Sequence, residues 1–126
     1  MGGGSPAVNT TDKIKLSTAS PQFVPGPTLK ARKVYLSCLT LPDGTLLEAG
    51  GGATNKIESA SYEVSLLTSI NSQWKSLNPI PAGNHRLYHC SQFLLDDGRI
   101  VSLVKPHRTA PQRERSRLLA AVPLQG

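Results

Sequence analysis

The sequence predicts an all-β chain made of two copies of one four-stranded unit, each built like a blade of a β-propeller. Three observations carry that prediction. Eleven glycines and ten prolines among 126 residues make one residue in six a turn former or breaker, which excludes helical bundles and coiled coils. Short β-branched and apolar runs alternate with turn signals along the chain. Most tellingly, the sequence matches itself when shifted by 54 positions. Pro25 then falls on Pro79, Pro27 on Pro81, Arg32 on Arg86, Ser37 on Ser91, Asp43 on Asp97 and Gly44 on Gly98.

The elements follow in order. Val34 to Leu41 reads as a strand, and Asp43-Gly44 is the dipeptide whose positive φ angles close a tight hairpin. Thr45 to Leu47 returns, and the glycines Gly50 to Gly52 end the unit 48 residues after the cluster Gly2 to Gly4. Ser61 to Leu66 alternates polar and apolar residues, the period of a half-buried strand. Gln73 to Leu77 reads as an outer strand ending at Pro79 and Pro81, with Trp74 as a packing residue between blades. Leu87 to Leu95, the turn Asp97-Gly98 and Arg99 to Leu103 repeat the first hairpin.

A period near 50 residues with glycines at the unit ends is that of kelch-type blades, here approximately 2–52 and 53–104. About three or more such repeats are needed for independent stability, and open sheet edges are a liability. The reading is therefore a propeller segment truncated at both ends, whose partners are the remaining blades.

The formal net charge of +6 invites a nucleic-acid reading, but its distribution argues against one. Residues 1–104 carry nine Lys and Arg against seven Asp and Glu, whereas 105–126 carry five against Glu114 alone. Two thirds of the excess, +4 of +6, belongs to a basic tail, 105–126, which does not continue the blade pattern. It is expected to be disordered or a short helix over 112–122. No apolar stretch is long enough to span a membrane, and the Met1 to Pro6 start is not a signal peptide. Gly2-Gly3-Gly4-Ser5 is no phosphate loop, because no Lys-Ser/Thr or helix pattern follows it.

Arg86-Leu87-Tyr88-His89-Cys90-Ser91, followed by Leu94-Leu95-Asp96-Asp97-Gly98-Arg99, resembles the copper-radical oxidases, the galactose oxidase and glyoxal oxidase family. The likeness extends over roughly residues 2–104. It implies a seven-bladed kelch-type propeller, an extracellular setting and oxidation of a primary alcohol or aldehyde by O2 to give hydrogen peroxide. It also implies that Tyr88 and His89 are copper ligands, axial and equatorial, with Tyr88 the catalytic proton acceptor. Imidazole suits copper, and a phenolate can take a hydroxyl proton.

Adjacent residues on a regular strand point to opposite faces, so two neighbours on one metal require a strand end or irregular backbone. Their counterparts in the earlier unit, Val34 and Tyr35, are different residues, so the pair is not a repeat feature. The family's crosslinked Tyr–Cys pair and second histidine ligand have no counterpart in this chain, which implies that the chain alone is inactive. Cys90 stands where the family has serine. The competing function is a non-catalytic kelch propeller that binds protein or carbohydrate.

The remaining candidates have plainer expected roles. Arg86, repeated as Arg32, is expected to bond carbonyls at the blade ends. Cys38 and Cys90 are expected to be buried free thiols, and His85 and His107 to occupy exposed or turn positions. Asn9-Thr10-Thr11 is a glycosylation sequon of low weight.

Overall fold

A computed structural model describes residues 1–104 and the backbone of Leu119–Pro123. It is all-β, with one 3-10 turn, Ile57–Ser59, as its helical element among the described residues. A small hairpin, β1 (Asp12–Ile14) with β2 (Phe23–Pro25), precedes two larger antiparallel sheets. The first sheet runs β3 (Val34–Thr40), β4 (Leu46–Gly52), β5 (Val64–Leu67) and β6 (Lys75–Ser76), each strand beside its sequence neighbour. The second runs β7 (Ser91–Leu94), β8 (Arg99–Leu103) and β9 (Leu119–Pro123) in the same up-and-down order. This is the build of adjacent propeller blades.

Alternation along β4 explains how the sheets stack. Leu47 and Ala49 point to one side and join Val64, Ile80 and Ile100, so this core lies between the two sheets. Leu46 points to the other side, towards Leu29, Leu67 and Trp74. Covered on both faces, β4 is buried from Leu47 to Gly52. Trp74, expected between blades, is buried just before β6 against Leu29 and Leu67 instead of the second sheet, and its indole N–H donates to the Pro27 carbonyl at 3.1 Å.

The expected hairpins form, though as three-residue loops. Leu41 N–H donates to the Thr45 carbonyl and Gly44 N–H to the Leu41 carbonyl, and Leu95, Gly98 and Arg99 repeat the pattern. Only the glycines, Gly44 and Gly98, take positive φ (82° each). Each aspartate instead uses its carboxylate to accept the backbone N–H two residues on, Asp43 from Thr45 and Asp97 from Arg99.

Four expectations change. The sheets span 34–76 and 91–123, so the unit boundary expected near residue 52 falls inside the first sheet. Gly50 to Gly52 end β4 rather than a blade, because they admit the neighbouring backbone. The Gly51 N–H donates to the Arg86 carbonyl at 2.6 Å, and a side chain on Gly50 would collide with Arg86. The tail does continue the second sheet, since β9 pairs antiparallel with β8; the helix expected over 112–122 is a strand from Leu119 onward. Residues 105–118, with His107, lie outside the described residues. Finally, Cys38 is exposed and Cys90 half-buried.

The first sheet also answers the arginine question differently. Arg32 is exposed, and the buried cation is its neighbour Lys33. Lys33 Nζ bonds both carboxylate oxygens of Glu48, at 3.0 and 3.1 Å, and lies 3.4 Å from Glu63. Lys33 and Arg86 are the matching residues, since the carbonyl of each receives a glycine N–H, from Gly3 and Gly51. A second match, by backbone conformation, joins Tyr35 (φ 59°) and His89 (φ 61°). Two residues stand between Arg86 and His89 but only one between Lys33 and Tyr35. The second unit therefore carries one extra residue just before its first strand.

Candidate functional site

That extra residue shapes the candidate site. In the first sheet, Tyr35 lies within β3, opposite Gly51, and pairing resumes at Leu36 with Gly50. In the second, residues Leu87 to Cys90 leave the ladder and form a β-turn closed by the Cys90 N–H on the Leu87 carbonyl at 3.0 Å. His89 occupies the left-handed third position of that turn, which glycine or asparagine usually fills. The irregular backbone expected for a Tyr–His pair is present here, at the head of β7.

The turn puts both side chains on one side. The Tyr88 and His89 rings lie 3.9 Å apart, inclined at 64°, and both residues are exposed. Tyr35 reaches across from the first sheet and meets Tyr88 edge-on, with centroids 5.1 Å apart at 79°. Two further contacts hold the turn. The Tyr88 N–H donates to Asn55 Oδ1 at 3.2 Å, from the loop that follows β4. Cys90 Sγ–H donates to the Tyr35 carbonyl at 3.2 Å. Burial pushes the Cys90 thiol up, which keeps it a protonated donor.

Arg86 behaves as expected of it. It is buried, and its guanidinium bonds the carbonyls of Ser102 (3.2 Å), Asn84 (3.1 Å) and His85 (2.9 Å), bracing the segment that leads into the turn. Tyr35 and Asn55 were not singled out by sequence. The repeat does align Tyr35 with His89, but no residue type there signals a left-handed backbone, and Asn55 stands in no motif.

A phenol oxygen and an imidazole nitrogen on one exposed turn are donors that suit copper(II). They are two donors, and no group of three or more His, Cys, Asp or Glu that could hold a metal occurs among the described residues. The turn therefore fits one part of a copper coordination shell.

No protein-family model matches this chain, and no curated protein matches it. Solved structures do. A fungal alcohol oxidase of the AA5 family, determined in complex with copper, aligns over 81% of this chain with a TM-score of 0.70 and 18% identity. At that identity the likeness is one of fold. This chain spans 23% of the length of that oxidase.

Proposed function

We propose that this chain is a segment of the kelch-type catalytic propeller of a secreted copper-radical oxidase, and that Tyr88 and His89 are its contribution to the copper site. One observation carries the reading: a tyrosine and a histidine share one exposed left-handed turn, in a fold shared with a copper alcohol oxidase. Copper would supply the redox chemistry. Tyr88 would supply an oxygen donor and proton acceptor and His89 a nitrogen donor, with Tyr35 and Asn55 fixing how Tyr88 is presented. The remaining ligands, including a second histidine and a crosslinked Tyr–Cys pair, would come from other blades. The substrate class is a primary alcohol or aldehyde, and the chain by itself is inactive.

Copper(II) titration followed by electron paramagnetic resonance tests the donor assignment. Nitrogen hyperfine structure should appear with the full chain and vanish in His89→Ala, and Tyr88→Phe should weaken binding. Indistinguishable spectra from the chain and His89→Ala would refute it. Tyr88-dependent peroxide production by the purified chain would refute the inactive-segment reading. Coding sequence flanking this segment should supply further blades with the missing Tyr, Cys and His.

The exposed Tyr35–Tyr88 pair also gives the alternative, a non-catalytic propeller that binds carbohydrate, a specific footing, since aromatic faces pack on sugars. Sugar-dependent quenching of tyrosine emission without nitrogen-coordinated copper would favour it.

A further inference from the structure

We infer that the second sheet holds a buried socket for a small carboxylate ion of formate or acetate size, formed by Arg86, Ser102 and Gln92. The first sheet shows what the fold puts there. Its buried cation, Lys33, is neutralised by Glu48 on β4 and by Glu63 just before β5. By the 54-residue repeat, Glu48 corresponds to Ser102 on β8, and Lys33 corresponds in structure to Arg86. The second sheet thus keeps the buried cation and replaces its counterion by a much shorter side chain.

The polar atoms left over mark the place. The Nε and one terminal nitrogen of Arg86 bond carbonyls, but the other terminal nitrogen, Nη2, is buried with no hydrogen-bond partner among the described residues. Ser102 Oγ and Gln92 Oε1 are likewise buried and unpartnered. Ser102 and Gln92 are direct partners in the β7–β8 ladder, so their side chains share one face. That face also carries Ile100, which belongs to the core between the two sheets. Arg86 reaches the same point through its bond to the Ser102 carbonyl.

A buried arginine nitrogen without a partner, on a side chain bonded to the Ser102 carbonyl, together with the unpartnered Ser102–Gln92 ladder pair, points to a missing common partner. The guanidinium edge only donates, the hydroxyl can donate, and the side-chain amide presents its nitrogen once its oxygen and nitrogen exchange places, so all three can face one acceptor beside a buried cation. Their partner is an anion. The first sheet selects carboxylate as its chemistry, because a carboxylate fills the equivalent place.

The test is thermal unfolding of the full chain at fixed ionic strength in sodium formate, acetate, pivalate or chloride. Formate and acetate should raise Tm saturably, by roughly 4–8 °C, while pivalate, too large for a buried socket, should match chloride. Ser102→Glu restores the internal counterion, so it should raise Tm in chloride and abolish the formate response. Ser102→Ala keeps the cation but removes one donor, and should weaken formate binding about tenfold. A titration followed by NMR should move the Arg86 and Ser102 amide signals first. Equal Tm in formate, pivalate and chloride would overturn the proposal, as would a formate response undiminished in both Ser102 variants. These readouts involve neither copper nor Tyr88 and His89.

Discussion

The two sheets meet the same demand in different ways. Each must bury a cation whose own carbonyl receives a glycine N–H, from Gly3 in the first and Gly51 in the second, just before a sheet begins. The first sheet uses Lys33, a point charge, and surrounds it with the carboxylates of Glu48 and Glu63. The second uses Arg86, whose planar fork reaches three backbone carbonyls and so needs no carboxylate to fix its position. A residue held by carbonyls braces the backbone itself. It is the sheet braced in this way that carries an extra residue and turns Tyr88 and His89 outward.

Breaking each cation separately probes that difference most strongly. Lys33→Met strands Glu48 as a fully buried, unpaired carboxylate, and should destabilise the chain by about 3–5 kcal/mol in urea unfolding. Lys33→Met with Glu48→Leu should recover most of that loss. Arg86→Met removes donors from three carbonyls but leaves no charge behind, and should cost about 1–3 kcal/mol. A larger loss for Arg86→Met than for Lys33→Met would reverse the comparison.

The glycines provide the next test. Gly98 (φ 82°) has nothing within 4 Å of an added Cβ, so Gly98→Ala should cost only the left-handed penalty, ~1–2 kcal/mol. At Gly51 (φ 74°) the same atom would lie 2.5 Å from the Val34 carbonyl oxygen and 2.9 Å from the Leu36 nitrogen. Gly51→Ala must therefore lose more, because backbone has to move. Equal unfolding midpoints for the two variants would contradict the close approach of β4 to β3 within the first sheet.

A smaller effect, of opposite sign, is expected at the turn. His89→Gly relieves the left-handed strain and should stabilise by about 0.5–1 kcal/mol while removing the nitrogen donor. Loss of stability instead would mean that the imidazole packing against Tyr88 outweighs the strain.

The smallest effects concern pH, and here the sheets should behave alike. Backbone and hydroxyl hydrogen bonds from Thr45 hold the Asp43 carboxyl below the usual aspartate range. The Arg99 guanidinium and N–H do the same for Asp97. A lowered folded pKa means stability fully present above the ordinary aspartate value and lost as pH falls through the folded one. Asp43→Asn and Asp97→Asn should each flatten the decline of urea midpoints below about pH 4. A pH profile unchanged in either variant would remove that turn's contribution.

Much of this architecture was legible in the sequence because it rests on residues with a narrow backbone role. Asp-Gly turns, strand-ending prolines and a repeat of fixed length located both hairpins and the buried Trp74. What escaped has physical causes. Arg32 and Lys33 are adjacent and both cationic, so matching Arg32 to Arg86 by residue identity picked the wrong neighbour, and the one-residue insertion before β7 was hidden. β9 lies beyond a run of arginines whose charge pattern masks any strand period. The Tyr–His pair was legible by motif and its irregular backbone by geometry. Tyr35 and Asn55 were not, since cross-sheet contacts leave no mark in a single chain's spacing.

The seclusion of Lys33 has a practical consequence. Lys15, Lys30 and Lys56 lie exposed and open to amine-reactive reagents, while Lys33 has no exposed side-chain surface at all. Acylation there has to wait until β3 and β4 part. Its labelling rate, followed by peptide mass mapping, is a built-in clock for the opening of the first sheet.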